Sequence, residues 1–419
     1  MGLVPTLALA SGSLSWPRID RMQQIILAIN AGSSSIKFQA FAERAGDLER
    51  RVVGLLEGIC SQPRLIIRNG AGETLAEQIF APETIASVEA AQEIVGDWLE
   101  GPSGSAAMGG PLIAIGHRVV HGGADFAGPV RIDDRVLARI TALTPLAPLH
   151  QPKNLAPILA WQRRRPDLAQ IACFDTAFHR GHGDLADRFA IPDALYREGV
   201  RRYGFHGLSY EYIAQLLPDL APAVAQGRII VAHLGNGCSL CALKVGRSID
   251  STMSFTALDG IPMGTRPGAI DPGVVLYLMR EKGMDAASIE HFLYHQCGLK
   301  GLSGISNDVR VLEASSDPMA RLALDHFVYR ITKGIGALAA VLGGLDALVF
   351  TAGIGENAAD VRRRIVDSSG WLGLAIDETA NKARQFDISA RLEGPRVLMI
   401  PTDEELMIAR HTLRILATV

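Results

Sequence analysis

The sequence predicts an α/β fold made of two duplicated halves with a ligand site between them. Strand-like and helix-like segments alternate along nearly the whole chain, which is typical of α/β proteins. A strand, a turn of small residues containing Asn, and a second strand occur twice, about 200 residues apart. Glycine accounts for 43 of 419 residues without a collagen period, which favours tight turns and close approaches of the backbone to a ligand.

Composition excludes several classes of protein. Apolar residues make up 48% and charged residues 20%, so a large core forms and a disordered chain is excluded. With 41 basic and 44 acidic residues and only 6% aromatic residues, no nucleic-acid partner is expected. The apolar run over 335–350 contains Asp346 and is shorter than the ~20 residues of a membrane span, so no membrane partner is expected.

Residues 1–22 are interpreted as a disordered extension or the product of a misplaced start, because Met22 directly precedes the first strong strand. The apolar run 7–10 is too short for a signal peptide and lacks a basic region before it. The five cysteines are odd in number and scattered, which predicts free thiols and a cytoplasmic location. Cys238 and Cys241 form a C-x-x-C within a strand pattern, where we expect them on opposite faces rather than in a zinc or redox site.

The elements follow in order. In the first half, strands are predicted at 25–30, 35–42, 51–59, 64–68 and 112–120, and helices at 83–99, 133–143 and 154–165. A strand at 171–175 is predicted to begin the second half. Further strands are predicted at 228–233, 239–244, 347–351 and 396–400, and helices at 272–282, 286–297, 318–342, from about 358, and at 404–416. Ser209 is the candidate N-cap of a helix after residue 207, and 352–356 is predicted as a loop.

Three glycine-bearing turns follow apolar strands, at 32–35, 235–237 and 353–357. Such turns let backbone N–H groups approach a phosphate, and Lys37 lies just past the first. The third turn has a rival interpretation as a dinucleotide-binding turn, since Asp377 follows about twenty residues later. Glu356 disfavours that interpretation because it would lie beside a pyrophosphate. No Gly-Lys dipeptide and no G-x-S-x-G occur, which excludes a P-loop and leaves an α/β-hydrolase without support.

Charged side chains lie in or beside several of these loops. Arg118 and Asp175 occur at the ends of predicted strands, His206 precedes a helix, and Arg266 lies in a glycine loop. Positive groups among phosphate-type loops suit phosphoryl transfer, in which catalysis is mostly positioning and charge neutralisation.

Two longer motifs occur in the sequence, INAGSSSIKF at 29–38 and RRYGFHG at 201–207, the second followed by Ser209. They resemble the first and second signatures of the acetate kinase family. Further blocks match in order at 116–123, 174–179, 233–237, 264–268, 305–310, 351–357 and 401–405. The resemblance covers residues 23–416.

The resemblance implies two duplicated actin-like (ribonuclease H-like) domains with an active-site cleft between them. The first domain would cover 23–170, completed by the C-terminal helix at about 404–419. The second would cover 171–403 and carry the nucleotide site and the interface of a homodimer. The implied reaction is transfer of the ATP γ-phosphate to the carboxyl group of acetate, giving acetyl phosphate and ADP, with Mg²⁺ or Mn²⁺.

Site residues also follow from the resemblance. Asp175, His206 and Arg266 would be catalytic, and Asn30 and Glu404 would hold the metal. Arg118, Val120, Leu149 and Phe205 would bind acetate. The nucleotide would contact Lys37, His233, Leu234, Gly235, Asn236, Gly237, Asp308, Val309, Arg310, Gly353, Ile354, Gly355, Glu356 and Asn357.

The role of Asp175 can be refined from chemistry. The family assigns it as acid/base, yet a carboxylate substrate is already ionised at pH 7 and needs no general base. We therefore expect Asp175 to orient Arg118, Arg266 or a metal-bound water.

Three residues depart from the family pattern. Asp403 replaces Asn and would add negative charge near Glu404; Cys238 replaces Ala and would make the nucleotide site sensitive to thiol reagents. Ala257 replaces the Pro of some members and enlarges the acyl pocket, whereas Val120 resembles acetate-using members. Acetate is therefore expected to be preferred and propionate tolerated.

Three alternatives to an acetate kinase remain open at this point. They are a propionate-preferring kinase, a nucleotide-driven binding or chaperone-like module on the same fold, and an NAD-dependent enzyme. The cleft arginines argue against the module, and the NAD-dependent enzyme rests on residues 353–358 alone.

Overall fold

A computed structural model describes residues 23–32, 34–44, 46–391 and 393–418. The predicted extension at 1–22 and Ser33 of the first glycine turn lie outside the described residues. All other predicted site residues are described.

The first sheet contains eight strands in the order β5-β4-β3-β2-β1-β6-β8-β7. They are β1 (Ile25–Ala31), β2 (Ser35–Arg44), β3 (Asp47–Glu57), β4 (Arg64–Asn69), β5 (Thr74–Ile79), β6 (Leu112–Val119), β7 (Val130–Arg131) and β8 (Ala169–Phe174). The helices of this part are α1 (Val88–Glu100), α2 (Pro102–Met108), α3 (Asp134–Ala142) and α4 (Gln151–Arg164). Helix α1 starts later than predicted because Ser87 is its N-cap and accepts a hydrogen bond from the N–H of Ala90.

The second sheet contains five strands in the order β11-β10-β9-β12-β13. They are β9 (Arg228–Leu234), β10 (Cys238–Lys244), β11 (Arg247–Ser251), β12 (Ala347–Thr351) and β13 (Arg396–Met399). The helices after β8 are α5 (Asp184–Asp187), α6 (Asp193–Arg197), α7 (Gly207–Leu220), α8 (Pro272–Glu281), α9 (Ala286–His295), α10 (Gly298–Ser303), α11 (Val309–Glu313), α12 (Pro318–Leu342), α13 (Ala352–Asn357), α14 (Ala359–Ser368), α15 (Glu378–Lys382) and α16 (Glu404–Leu416).

The two sheets repeat one topology. In the first, β3, β2 and β1 are antiparallel neighbours, and β6 and β8 continue the sheet in parallel. In the second, β11, β10 and β9 are antiparallel, and β12 and β13 continue in parallel. The order β3-β2-β1-β6-β8 therefore corresponds to β11-β10-β9-β12-β13, which is the duplication that the paired hairpins predict. The two turns differ in detail, since Asn30 lies within β1 while Asn236 lies beyond the end of β9.

The strand predicted to begin the second half belongs to the first sheet. Strand β8 pairs in parallel with β6, with Arg118 opposite Cys173. The last parallel strand of the first sheet therefore runs to Phe174, past the boundary expected at residue 170. Two local predictions also differ. The N-cap of α7 is His206 rather than Ser209, and residues 352–357 form the short helix α13 rather than a loop.

Helices α7 and α16 lie between the two sheets and contact each other. Helix α16 packs on β1 and β6 through Met407 and Ile408 in one apolar cluster. Helix α7 packs on the second sheet through Ile213 and Leu217. The N-terminal ends of both helices therefore lie where the two halves meet. Within the described part of the chain, none of the helices combines the length and apolar character that crossing a bilayer requires.

Candidate active site

Arg118 and Asp175 meet at the carboxyl ends of neighbouring parallel strands. Arg118 is the penultimate residue of β6, and Asp175 directly follows β8. The guanidinium binds the carboxylate through two nitrogens, with Nε 2.9 Å from Oδ1 and Nη2 2.5 Å from Oδ2. The Asp175 side chain is only 2% exposed, whereas that of Arg118 is 19% exposed. The buried carboxylate of Asp175 therefore holds the more exposed guanidinium of Arg118 in place.

A second group of polar side chains joins β1 to the start of α16. The Nδ2 of Asn30 donates to Oε2 of Glu404 at 3.1 Å and to Oε1 of Glu405 at 2.9 Å, while its Oδ1 accepts from Nη1 of Arg118 at 3.1 Å. Lys37 is exposed and lies opposite Asn30 across the β1–β2 pair. Asn30, Glu404 and Lys37 are therefore brought together as predicted, beside Arg118.

The carboxylates of this region have different electrostatic environments. Burial acts to raise the pKa of Glu404, but Arg118, His233, Lys37 and the hydrogen bond from Asn30 together outweigh it, and the pKa is lowered. Burial raises the pKa of Glu405, and the neighbouring charge of Glu404 adds to this effect. Burial also raises the pKa of Asp175, against the opposing effect of Arg118. Glu404 is thus the carboxylate held most firmly in its ionised form.

The donor set fits a hard divalent cation. Among the described residues, no cluster of three or more His, Cys, Asp or Glu side chains is arranged to hold a metal ion. Magnesium usually binds through one or two carboxylates together with substrate phosphates and water. Glu404 supplies a carboxylate of that kind, while Asn30 directs its Nδ2 to Glu404 and Glu405 and its Oδ1 to Arg118.

His206 is held in one tautomer by a chain of hydrogen bonds. The Oη of Tyr210 lies 2.5 Å from Oγ of Ser239, which lies 2.8 Å from Nδ1 of His206. Burial raises the pKa of Tyr210, and Ser239 is its one hydrogen-bond partner among the described residues. Tyr210 therefore donates to Ser239, and Ser239 donates to His206. This order places the proton of the neutral imidazole on Nε2.

His206 has a strained backbone and a buried ring. Its φ of 58° and ψ of 23° lie in the left-handed region, where a non-glycine residue is uncommon. The ring stacks on His233, with centroids 4.2 Å apart. Burial, with His233, Arg118 and Arg266, lowers the pKa of His206 well below 6.5. The imidazole is therefore neutral at pH 7 and donates from Nε2.

Arg266 faces His206 across Gly237. A Cβ added to Gly237 would lie 2.8 Å from Nη2 of Arg266 and 3.2 Å from Nε2 of His206, so both groups border the same space. The Nη1 of Arg266 donates to the carbonyl of Ala257 at 2.7 Å. Burial lowers the pKa of Arg266, yet an arginine remains cationic at neutral pH.

The predicted acyl pocket adjoins these groups. Val120 and Phe205 are 5% and 3% exposed and belong to one apolar cluster, against which Ala257 packs. Leu149 is half-buried just before α4. Its neighbour His150 was not predicted; burial lowers the pKa of His150 to about 4, and the nearby charges of Arg266 and Arg118 add to this.

Most of the predicted nucleotide residues line one cavity of about 590 Å³. Its walls are Gly235, Asn236, Asn307, Asp308, Val309, Arg310, Glu313, Gly353, Ile354, Asn357 and Ala358. Eight of these were predicted, and Asn307, Glu313 and Ala358 were missed. Asp308 is the N-cap of α11 and forms an ion pair with Arg310. These contacts orient the two side chains at the wall of the cavity.

The remaining predicted nucleotide residues lie elsewhere. Leu234 is fully buried, and His233 binds Oγ of Ser209 through Nδ1 at 2.9 Å. Gly237 borders Arg266 and His206. The carboxylate of Glu356 accepts from the backbone N–H of Thr402 at 3.2 Å, and the carbonyl of Gly355 accepts from Arg362. Glu356 and Gly355 therefore brace α13 and do not line the cavity.

The site includes residues that no motif predicted. Glu405 is more buried than the predicted Glu404, because consecutive helix residues point about 100° apart. Tyr210 and Ser239 act on His206 from α7 and β10. The available signal for Glu405 was its place in the first turn of a helix that Asp403 could cap. Nothing in the sequence indicates the contact of Ser239 with His206.

Asp377 and the cysteines have structural roles. Asp377 caps α15 by accepting from the N–H of Ala380, so it is not placed for a ribose. Cys238 and Cys241 belong to different apolar clusters on opposite faces of β10, as predicted, and the five cysteines are free. Cys238 is fully buried, and burial raises its pKa to about 12, which disfavours the predicted sensitivity to thiol reagents.

The charge of Asp403 is balanced. Asp403 is the N-cap of α16 and forms an ion pair with Arg50. The Nε of Arg50 also donates to Gln39 at 2.6 Å, and Gln39 reaches Oε2 of Glu405 at 3.4 Å. The substitution of the family's Asn by Asp therefore comes with a compensating arginine and adds little net charge near Glu404.

Two sheets of one topology, a cavity of about 590 Å³ and a buried arginine beside it suit a kinase, an enzyme that transfers a phosphoryl group. A family model described as the acetokinase family matches residues 25–410. The chain belongs to the acetokinase family.

Two relatives match this chain over nearly its whole length. The acetate kinase of Nitrobacter hamburgensis is 57% identical over 392 residues, covering 93% of this chain and 96% of the relative. The acetate kinase of Rhizobium meliloti is 51% identical and covers 94% and 98%.

Two solved structures share the fold. A propionate kinase from Francisella tularensis superposes with a TM-score of 0.85 at 36% identity, covering 93% of this chain and 99% of that one. An acetate kinase from Porphyromonas gingivalis superposes with a TM-score of 0.82 at 35% identity, covering 94% and 100%. The predicted actin-like α/β fold is confirmed.

Proposed function

We propose that the protein catalyses the reversible transfer of the ATP γ-phosphate to acetate, giving acetyl phosphate and ADP. The observation that carries this proposal is that Arg118 and Arg266 both act on the ring of His206, whose Nε2 borders the same space as Arg266 beside the turn that lines the nucleotide cavity. Full-length relatives named acetate kinase support acetate as the acceptor.

The chemistry follows from the charges of these groups. Acetate enters as the carboxylate and attacks the γ-phosphorus directly, so no residue has to remove a proton. Arg118 binds the carboxylate of acetate, and Asp175 holds the guanidinium of Arg118 in place. Arg266 and His206 donate to the phosphoryl oxygens, where negative charge is redistributed in the transition state.

Magnesium is the proposed metal, with Mn²⁺ as a substitute. Glu404 and Asn30 would hold it, and Glu405 would support them from behind. When bound, the ion neutralises charge on the nucleotide phosphates.

A coupled assay of ADP formation tests the activity. The assay compares acetate, propionate, butyrate and no added acid. We expect turnover with acetate, weaker turnover with propionate and very little without acid. Release of ADP that is independent of acid would instead favour a nucleotide-driven module, and no ATP turnover would contradict the proposal.

Val120 is expected to set acyl preference. It is buried beside Phe205 in the apolar cluster that would face the methyl group of acetate. Val120→Ala removes two methyl groups and makes room for the longer acid. We expect kcat/KM for propionate to rise about tenfold relative to acetate, since one methylene is worth ~1–3 kcal/mol in an apolar pocket. An unchanged ratio of the two kcat/KM values would show that Val120 does not line the acyl pocket.

A homodimer is proposed, with α8 in the interface. This helix has no buried residue, although most of its side chains are apolar. Leu276, Tyr277 and Met279 are 48%, 51% and 48% exposed. Within the described residues α8 contacts α9, yet these apolar side chains stay exposed, which is typical of a surface that pairs with a second copy.

Leu276→Glu tests the interface. A charge buried at the centre of an interface is costly, so we expect the variant to elute as a monomer of half the wild-type mass in light-scattering chromatography. Leu185→Glu is the control, because Leu185 is 97% exposed and lies on α5. A Leu276→Glu protein that keeps the wild-type dimeric mass would place the interface elsewhere.

Two domains and a cytoplasmic location complete the proposal. The first domain contains the first sheet together with α16, and the second contains the second sheet, the nucleotide cavity and α8. Five free cysteines are consistent with a reducing compartment.

A further inference from the structure

A second cavity lies between the two halves of the molecule, away from the residues proposed for catalysis. Its volume is about 320 Å³, at the lower end of the range for small-molecule sites. Helix α16 connects it to the cleft. Glu404 begins that helix in the cleft, and Arg414 lines the cavity ten residues later, about 15 Å along the axis at 1.5 Å per residue.

The lining of this cavity carries positive charge. Arg247 comes from β11 in the second sheet, and Arg414 comes from α16, which packs on the first sheet. The ion pairs formed by the described residues include neither of these arginines with a carboxylate. Glu211 is the one acidic side chain in the lining. The cavity therefore has an excess of positive charge supplied from both halves.

The acidic residue is already engaged. The Oε2 of Glu211 lies 2.9 Å from Nε2 of His411, and Nη2 of Arg414 donates to Nδ1 of the same ring at 2.9 Å. Because Nδ1 accepts from Arg414, the proton of this imidazole lies on Nε2 and is donated to Glu211. His411 is 3% exposed, so its ring is held in place between Glu211 and Arg414. Arg414 is itself exposed and keeps its other N–H donors for a ligand.

The rest of the lining is mostly apolar. It includes Pro129, Phe174, Phe178 and neighbouring alanines, most of them from the segment around the end of β8. A lining that combines two arginines with apolar side chains matches a ligand with an anionic head and a short apolar body. Inorganic phosphate alone would leave the apolar part of the lining without a contact.

We propose that this cavity binds a small organic acid whose carboxylate or phosphate head lies between Arg247 and Arg414. Such a ligand connects β11 of the second sheet to α16 on the first, and so restrains movement of one half relative to the other. This site goes beyond the phosphoryl transfer proposed above, because none of its residues lines the cleft or the nucleotide cavity.

Isothermal titration calorimetry on the full chain tests the site, with benzoate and phenyl phosphate as the two probes. We expect the wild type to bind at least one probe at millimolar concentrations, and the preferred probe identifies the head group. Arg247→Gln and Arg414→Gln should each weaken binding about tenfold or more, since each removes a charge-assisted hydrogen bond. Arg68→Gln, at an exposed arginine on β4, is the matched control and should bind as the wild type does.

A cleft variant separates this site from the active site, because acids also bind where acetate does. In Arg266→Ala, binding of the probe should persist and should still be lost on addition of Arg414→Gln. Binding that disappears in Arg266→Ala but survives in Arg414→Gln would place the probe in the cleft and overturn the proposal. Absence of binding by both probes to the wild type would overturn it as well. Neither outcome depends on whether acetate is the substrate.

Discussion

Arg266→Ala is expected to lower kcat by about 10³-fold or more while changing the KM for acetate much less. Arg266 borders the same space as Nε2 of His206, and burial strengthens its interaction with any anion there. Its donors would contact the phosphoryl group most strongly in the transition state, as arginine fingers do. The measurement is steady-state kinetics in ATP and in acetate.

A matched control accompanies that variant. Arg321→Ala removes an arginine whose side chain is 86% exposed on α12, and its kinetics should equal those of the wild type. An Arg266→Ala enzyme with a raised KM and an unchanged kcat would show that Arg266 binds substrate and transition state equally, which contradicts selective stabilisation of the transition state by this arginine.

Asp175→Asn is expected to lower kcat by about 10²-fold or more without changing the shape of the pH–rate profile. The substitution keeps the side chain's shape but removes the charge that holds Arg118 through two hydrogen bonds. A misplaced guanidinium weakens one preorganised electrostatic contact to the substrate. The loss of one such contact typically lowers kcat by about 10²-fold or more. The profile stays flat between pH 6 and 8 because His206 and His150 are already neutral there, with pKa values lowered by burial.

The pH profile distinguishes orientation from proton transfer. If Asp175 acted as a general base, the wild type would lose activity as its carboxylate was protonated at low pH, and Asp175→Asn would abolish that acid limb. If Asp175→Asn kept near-full kcat with normal metal dependence, the orienting role would fail. Asp175→Glu provides a second variant that retains the charge.

The sequence predicts much of this molecule, because local signals agree with the final structure where they are strongest. Helix α12 runs from Pro318 to Leu342, as predicted, with Asp317 as N-cap, Pro318 at the first position and Gly343 at the C-terminal end. Asn236 and Gly353 line one cavity because they follow β9 and β12. These two strands are neighbours in the second sheet and run parallel.

The predictions from sequence that differ from the structure have a common physical origin. Each depends on contacts between distant parts of the chain. Strand β8 resembles any buried strand, and only its pairing with β6 shows that it belongs to the first sheet. Glycines in 352–357 oppose a helix by propensity, yet α13 forms where Arg362 binds the carbonyl of Gly355 and Glu356 binds Thr402. The proton on His206 depends on Ser239, 33 residues away.

Trapping the product with hydroxylamine tests phosphoryl transfer to acetate most directly. Acetyl phosphate reacts with hydroxylamine to give acetohydroxamate, which is measured beside the ADP released from ATP. We expect one acetohydroxamate for each ADP, formed only when both ATP and acetate are present. Release of ADP without acetohydroxamate would contradict the proposed reaction, because the cleft would then hydrolyse ATP rather than transfer its phosphoryl group to a carboxylate.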